Sequence, residues 1–393
     1  MGTGCGAVEG AGALSAAPPA GTSATAGKTD LLSRWLAMAR PLRHLPRAGA
    51  IALLLALLGG LVWSSVAVPR LHSVPKTVRV SPSGGPPIGD FALYALINRQ
   101  VASGEDYYVA ATEAQRQHNY ATRPFVTVRL PTLAWINALL GPKTLHNLMY
   151  ALLVLIAGLF FARIRPMLGL VPAVGGGLAV LLGGAGITTS QAASIHEMVA
   201  GLLIALAVVI YRPSRIWPSV IATGLALAVR ELALPFVLLW LVFATVERRW
   251  REAAVVAGMI ALFFAGLVLH YFAVAALALP TDKASQGWNG LVGPAFPLLS
   301  LARFSGLTLV PLWLAGPVGV LPLLGWLGMG GRTGLMAAMW SAGFFLMVAL
   351  FARADNVYWV LMVLPLYLGG LAFVPRALGD LLASATGRTE RLS

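Results

Sequence analysis

The sequence predicts an all-α, polytopic transmembrane bundle of about ten spans, with interfacial helices in a long first loop. Three observations lead there. Hydrophobic residues make up 58% of the chain against 11% charged, and mean hydropathy is +0.80, far from the balance of soluble domains. Apolar runs recur between Ala48 and Leu378, several of them reaching the ~20 residues that cross a hydrocarbon core of ~30 Å. Basic residues gather in the short turns between those runs, as the positive-inside rule requires.

Residues 1–28 are rich in Gly, Ala, Ser and Thr; with little bulky apolar surface to offset ordering entropy, they are expected to be disordered. A basic flank follows at 29–47, then the membrane domain at 48–378 and a short tail at 379–393. Spans are expected near 48–68, 144–162, 168–187, 192–210, 216–229, 232–246, 253–279, 307–327, 334–351 and 357–373. The fifth and sixth are short, and 216–246 reads equally as one long helix or a re-entrant pair. The first run is too long for most signal h-regions and has no small-residue cleavage site, so it is expected to stay as a helix.

Counting spans from a cytoplasmic N-terminus places Arg163, Arg165, Arg212, Arg215, Arg248, Arg249, Arg251, Arg332 and Arg376 inside. Both termini are then cytoplasmic in a plasma (inner) membrane. The long loop 69–143 and the connections at 188–191, 230–231, 280–303 and 352–356 fall outside. Within that loop Asp90, Tyr94, Ile97 and Val101 keep helical spacing, and 132–140 is apolar around Trp135, as expected of helices lying along the interface.

The net charge of +14 belongs to this topology rather than to a nucleic-acid surface. Cys5 is the only cysteine, which excludes an intramolecular disulfide or a thiolate metal site. No Walker loop, HExxH or Asp-x-Asp pair is present, and the glycines at 175–177 and 183–184 lie inside a span, where small residues favour close helix packing.

Eight of the fourteen acidic residues map to the outer side: Asp90, Glu105, Asp106, Glu113, Glu197, Glu231, Asp282 and Asp355. Charge topology does not require this. Glu197, beside His196, and Arg230-Glu231 interrupt apolar runs at one height; they form either a structural ion pair or triad, or part of a polar cavity. His270 reads as a hydrogen-bonded core side chain. Asp90 follows Gly-Gly-Pro-Pro-Ile-Gly at a helix start, as an N-cap or as a reactive carboxylate. Glu105 and Asp106 suit a cap for the next helix, and Tyr107 and Tyr108 suit interfacial anchors. Arg230 and Arg353 are expected at the outer face, where guanidinium forks bind phosphate, with lipid head-group contact as the plainer role.

The stretch "GDFALYALINRQVASGEDYYVAA", followed by "RPFVTVRLPTLAWINALLG", resembles the first extracytoplasmic loop of polytopic GT-C glycosyltransferases. The segments "VRELALPFVLL" and "NVYWVLMVLPLYL" are similar to helices of bacterial mannosyltransferase-like members that use polyprenyl-phosphate donors. The resemblance implies a GT-C-type hexosyltransferase of the cell envelope, with Asp90 as catalytic base. It also implies a substrate site at the outer face, for which Arg230, Glu231, Arg353, Glu197, His196, Asp106 and Tyr108 are the candidates. Its partners would be the bilayer, a polyprenyl-phosphate-linked sugar and an acceptor glycan, lipid or protein, with no nucleic acid. Asp90 lacks the adjacent second acid of many relatives, so no cofactor is implied with certainty and a divalent metal stays open. A transporter or flippase is the rival reading, with Glu197, Arg230, Glu231 and His270 lining a path; few ionisable groups in the inner halves of the spans argue against it. A noncatalytic assembly subunit is a third.

Overall fold

A computed structural model describes residues 1–2, 31–73 and 88–387. Residues 3–28 of the expected N-terminal tail, the stretch 74–87 of the first loop, and residues 388–393 of the C-terminal tail lie outside the described residues. Those described form α-helices and 3₁₀ turns, with one isolated β-bridge between Arg123 and Ala284.

A short α1 (Leu31–Ala37) precedes α2 (Arg47–Ser73). The first loop carries α3 (Asp90–Ala102), α4 (Tyr107–Gln117) and α5 (Thr132–Leu140). The bundle continues through α6 (Pro142–Leu168), α7 (Leu170–Gly183), α8 (His196–Ile210), α9 (Trp217–Val229), α10 (Leu234–Val246) and α11 (Trp250–Ala275). It closes with α12 (Ala295–Phe304), α13 (Leu312–Met329), α14 (Gly331–Phe351), α15 (Leu364–Tyr367) and α16 (Val374–Ala385).

Among the described residues six helical stretches are long and apolar enough to cross a membrane: α2, α6, α11, α13, α14 and Leu364–Ala385. The other four expected spans are the shorter helices α7 to α10, of 14, 15, 13 and 13 residues. At 1.5 Å per residue these reach only about 20 Å. The cause is local. Gly183-Gly184 ends α7 and two 3₁₀ turns delay α8 until His196. Arg230 adopts an extended conformation (φ −149°, ψ 117°) that stops α9, and Pro235 sits in the first turn of α10, where its missing N–H costs nothing. Helices α9 and α10 therefore rise and return as a pair whose apex is Arg230-Glu231.

The last expected span also differs. Residues 357–373 form two 3₁₀ stretches flanking the four-residue α15, and α16 continues to Ala385, past the boundary expected at 378. A 3₁₀ segment rises ~2.0 Å per residue, so these residues reach farther than an α-helix of equal length. Neighbours sustain the unusual geometry: Trp326 Nε1 donates to the Tyr367 carbonyl at 2.9 Å, and the Tyr367 hydroxyl donates to the Gly319 carbonyl at 2.7 Å. Gly201, Gly183 and Gly325 let their helices lie directly on the carbonyls of Leu361, Leu364 and Gly370.

The five connections expected outside converge on one face. Asn98 there donates to Ser194 Oγ, Asn137 donates to the Ala193 carbonyl, and the Leu291 N–H donates to the Leu350 carbonyl. The opposite, basic face holds a buried network that the sequence reading missed. Glu252, 3% exposed, accepts from Trp240 Nε1 at 2.5 Å and Tyr211 Oη at 3.0 Å, and pairs with Arg249 at 2.5 Å and Arg332 at 2.8 Å. Arg163 donates to the carbonyls of Val209 and Tyr211. The inner halves are thus not poor in buried ions; Glu252 sits at the start of α11, where the helix dipole favours a carboxylate.

Replacing Gly201 by Val inserts two methyl groups and a Cβ against the Leu361 backbone, an overpacking expected to cost about 1–3 kcal/mol. Thermal unfolding in detergent should show a lowered midpoint for Gly201→Val and little change for Gly258→Val, since Gly258 has open space beside it.

Candidate functional site

The loop-rich face encloses a cavity of about 660 Å³, lined among others by Asp90, Tyr94, Arg129, Trp288, Arg353 and Tyr358. Its carboxylate comes from the start of α3. Gly89 is the N-cap, in extended conformation, and Asp90 is the first helical residue, at the positive end of the helix dipole. Asp90 is therefore not the cap. It is half-buried, and its Oδ2 accepts a hydrogen bond from the Tyr358 hydroxyl at 2.6 Å. The Phe91 ring packs edge-on to Tyr358, 5.1 Å between centroids.

Two guanidiniums face the same cavity. Arg353 follows the end of α14; its backbone N–H donates to Asn356 Oδ1 at 3.0 Å, and its buried Nε has no hydrogen-bond partner among the described residues. Tyr358, five residues after Arg353, reaches Asp90. Arg129 was not among the sequence candidates. The Tyr107 hydroxyl donates to the Arg129 carbonyl at 2.6 Å, Arg129 Nε donates to Tyr94 Oη at 3.0 Å, and Nη1 lies 3.5 Å from Glu231 Oε1. Arg129 stands between the apolar Val128 and Leu130 in a loop that also carries Arg99, Arg116 and Arg123, so no local signal singled it out.

Behind the cavity wall lies a buried ionic chain. Arg230, 1% exposed, donates from Nε to Glu197 Oε1 at 2.7 Å and pairs through Nη1 with Glu231 Oε1. Glu231 in turn meets Arg129, so two acids and two bases alternate. Arg230 does not line the cavity and is no exposed phosphate fork. Glu197 and His196 are equally enclosed at the start of α8, with the His196 ring 5.1 Å from the Tyr94 ring. An ion pair out of water is held chiefly because losing one partner strands the other.

The remaining candidates sit elsewhere. Asp106 caps α4, accepting from the N–H groups of Tyr108 and Val109 at 2.9 and 3.2 Å. Tyr107 is buried rather than an interfacial anchor. Tyr108 Oη lies 3.3 Å from His270 Nδ1, and His270 Nε2 lies 3.1 Å from the Val128 carbonyl. An N–H on Nε2 satisfies both contacts, with Tyr108 donating to Nδ1; His270 is thus a hydrogen-bonded core side chain that pins the residue before Arg129. Among the described residues no three His, Cys, Asp or Glu side chains gather so as to hold a metal ion.

The cavity's far wall is the loop 279–293, clamped to the segment after α4. Arg116 Nε donates to Asp282 Oδ1 at 2.7 Å and its Nη2 to the Leu277 carbonyl at 2.6 Å. The Arg123 guanidinium donates to the Asp282 carbonyl. The Ser285 N–H donates to the Arg123 carbonyl at 2.6 Å, and Lys283 Nζ to the Asn119 carbonyl at 3.0 Å. The hydrogen bond from Arg116 holds the Asp282 carboxyl well below the usual carboxylate range, at about 2.

No family model matches the chain, and neither does any curated protein. Two solved structures are similar to it: ArnT from Cupriavidus metallidurans bound to undecaprenyl phosphate, and the same protein in the apo state. The TM-scores are 0.48 and 0.45 at 18% identity, over 85% of this chain and 62% of that one. The chain thus spans less than two thirds of that protein's length. A likeness at this level assigns no family, and the cavity's chemistry rests on its own side chains.

Because the Asp282 carboxyl is lowered in the folded protein, its stabilising contribution is complete above the unfolded value of about 4 and is lost as pH falls through about 2. Asp282→Asn should lower the thermal midpoint at pH 7, and the gap to the unmodified protein should close as pH is taken from about 4 toward 2. A gap independent of pH would dissociate the clamp from the carboxylate's charge.

Proposed function

We propose that the protein is a polytopic membrane glycosyltransferase of GT-C type, moving a sugar from a polyprenyl-phosphate donor to an extracytoplasmic glycan, lipid or protein acceptor. The observation that carries this reading is the meeting of one carboxylate, Asp90, with the guanidiniums of Arg129 and Arg353 in a single cavity at the loop-rich face. Each part of such a donor finds its chemistry: the apolar chain in the bilayer, the phosphate at an arginine, the sugar in the polar space above.

In this reading Asp90 removes the proton from the acceptor hydroxyl as that oxygen attacks the anomeric carbon. The bond from that carbon to the phosphate oxygen breaks, the phosphate leaves with the electron pair, and configuration inverts. Tyr358, donating to Asp90 Oδ2, leaves Oδ1 to take the proton and orients the carboxylate. Arg353 neutralises the departing phosphate, with Arg129, already partly balanced by Glu231, supplying the second positive charge. A hexose, and within that class a mannose-like sugar for the cell envelope, follows from the sequence resemblance alone. Placement in the plasma membrane with cytoplasmic termini follows from the sidedness of the basic residues, and any requirement for a divalent metal is open to the same assay.

Purified protein in lipid, given labelled polyprenyl-phosphate hexoses and an acceptor mixture, should transfer sugar, and Asp90→Asn should lose about 10²–10⁴-fold in rate while folding normally. Full activity in that variant would remove Asp90 as base. Arg353→Ala should raise the KM for donor about tenfold with an unchanged thermal midpoint, since a charge-assisted hydrogen bond is worth about 1.5–3 kcal/mol. Arg230→Met should instead lose folded yield, as breaking a buried pair costs about 3–5 kcal/mol. Reversed phenotypes would exchange the roles given to these two arginines.

A further inference from the structure

The cavity that holds Asp90 also presents an aromatic side chain to which the transfer chemistry gives no role. Trp288 stands in the clamped loop 279–293, lines the cavity and is 52% exposed, although indole is among the side chains that most readily bury. Its other side is backed by Trp359, whose ring meets it edge-on with centroids 6.0 Å apart. The cavity it lines carries the amides and hydroxyl of Asn119, Ser285, Gln286 and Asn356, together with the charged Lys283, Arg353 and Asp355.

We infer that Trp288 is the platform of a carbohydrate subsite, taking a pyranose ring by its C–H face. A pyranose presents one apolar face and a rim of hydroxyls that both donate and accept. An exposed indole face in a polar cavity matches both features, whereas an acyl or prenyl chain would set apolar surface against the cavity's polar lining. The proposal deepens the glycosyltransferase reading by placing an acceptor sugar on Trp288, and it rests on that reading only for the word acceptor.

The backbone is built to hold the platform still. Gly287 has φ +82°, which turns the chain just before Trp288. Gly290 lies so close on the Ala352 carbonyl and Arg353 Cα that a side chain has no room. The Leu291 and Gly293 N–H groups donate to the carbonyls of Leu350 and Ala349 at 3.2 and 3.0 Å. The loop is therefore fixed at both ends: to the segment after α4 through Asp282, Lys283 and Ser285, and to the end of α14 through Gly290, Leu291 and Gly293. Position relative to the carboxylate follows from one 3₁₀ turn, Val357–Met362. In it Tyr358 reaches Asp90 and the next residue, Trp359, backs Trp288. A sugar on the platform therefore shares one cavity with the carboxylate that would take its hydroxyl proton.

The test is saturation-transfer NMR on the full chain in nanodiscs, with a panel of methyl pyranosides as probes and cyclohexanol as an apolar control. At least one pyranoside should receive saturation on its ring C–H protons, and cyclohexanol should not. Trp288→Ala should weaken binding at least tenfold, and Trp288→Tyr should restore most of it if the variant chain keeps its thermal midpoint. Asp90→Asn should abolish transfer yet leave pyranoside binding intact, which separates failure of the catalytic reading from failure of this one. No signal from any pyranoside, or equal signals in the unmodified and Trp288→Ala proteins, overturns the subsite and leaves Trp288 an interfacial anchor.

Discussion

Four linked charges, two of them fully enclosed, govern the loop-rich half of this bundle. Glu197, Arg230, Glu231 and Arg129 come from the start of α8, the break between α9 and α10, and the first extramembrane loop. No one of them can be enclosed alone, because an isolated ion in an apolar surrounding either neutralises or forces the structure open. Alternating in sign, they can be buried together. The arrangement explains why α9 and α10 stop short of a full crossing: Arg230 must leave helical geometry to place its guanidinium between two carboxylates. It also explains why the first loop lies down on the bundle, since Arg129 is the end of the chain and carries that loop with it.

The cavity is what remains once these pieces are in place. Its floor is Arg129, the outermost member of the ionic chain, with Tyr94; its near wall is the start of α3, and its far wall the loop 279–293 held by Arg116 and Arg123. The walls belong to segments far apart in the chain, and hydrogen bonds to backbone carbonyls do much of the joining. His270 adds a connection from α11 to Val128, so a transmembrane helix and the arginine beside it move together. A site assembled from loops keeps its geometry only where such cross-links fix those loops to the scaffold.

The two faces use buried charge differently. At the basic face Glu252 gathers Tyr211, Trp240, Arg249 and Arg332 into a packed cluster, and the space beside it is of the order of one water molecule, about 10 Å³. At the loop-rich face comparable charges border an open volume many times larger. Ion content therefore does not distinguish the faces. What the loop-rich face adds is a cavity of about 660 Å³, in which a carboxylate and a guanidinium can meet something other than each other.

Much of the architecture was legible in the residues taken in order. Apolar runs, turn glycines and prolines, and the sidedness of arginines are properties of short stretches, and each acts on the backbone or the bilayer where it stands. They were enough to determine a helical membrane bundle, to send five connections to one face, and to single out Asp90 at a helix start and Arg353 in an outer turn. Only the tertiary structure decided that the third and fourth spans are short like the fifth and sixth, that Arg230 is a buried counter-ion, and that Arg129 takes the place at the cavity expected of Arg230. The same holds for the partner of Asp90: Tyr358 lies 268 positions away, and no periodicity or local preference relates two residues so separated. That contact exists because the packing of intervening helices brings the two segments together, and packing depends on how all the faces fit at once.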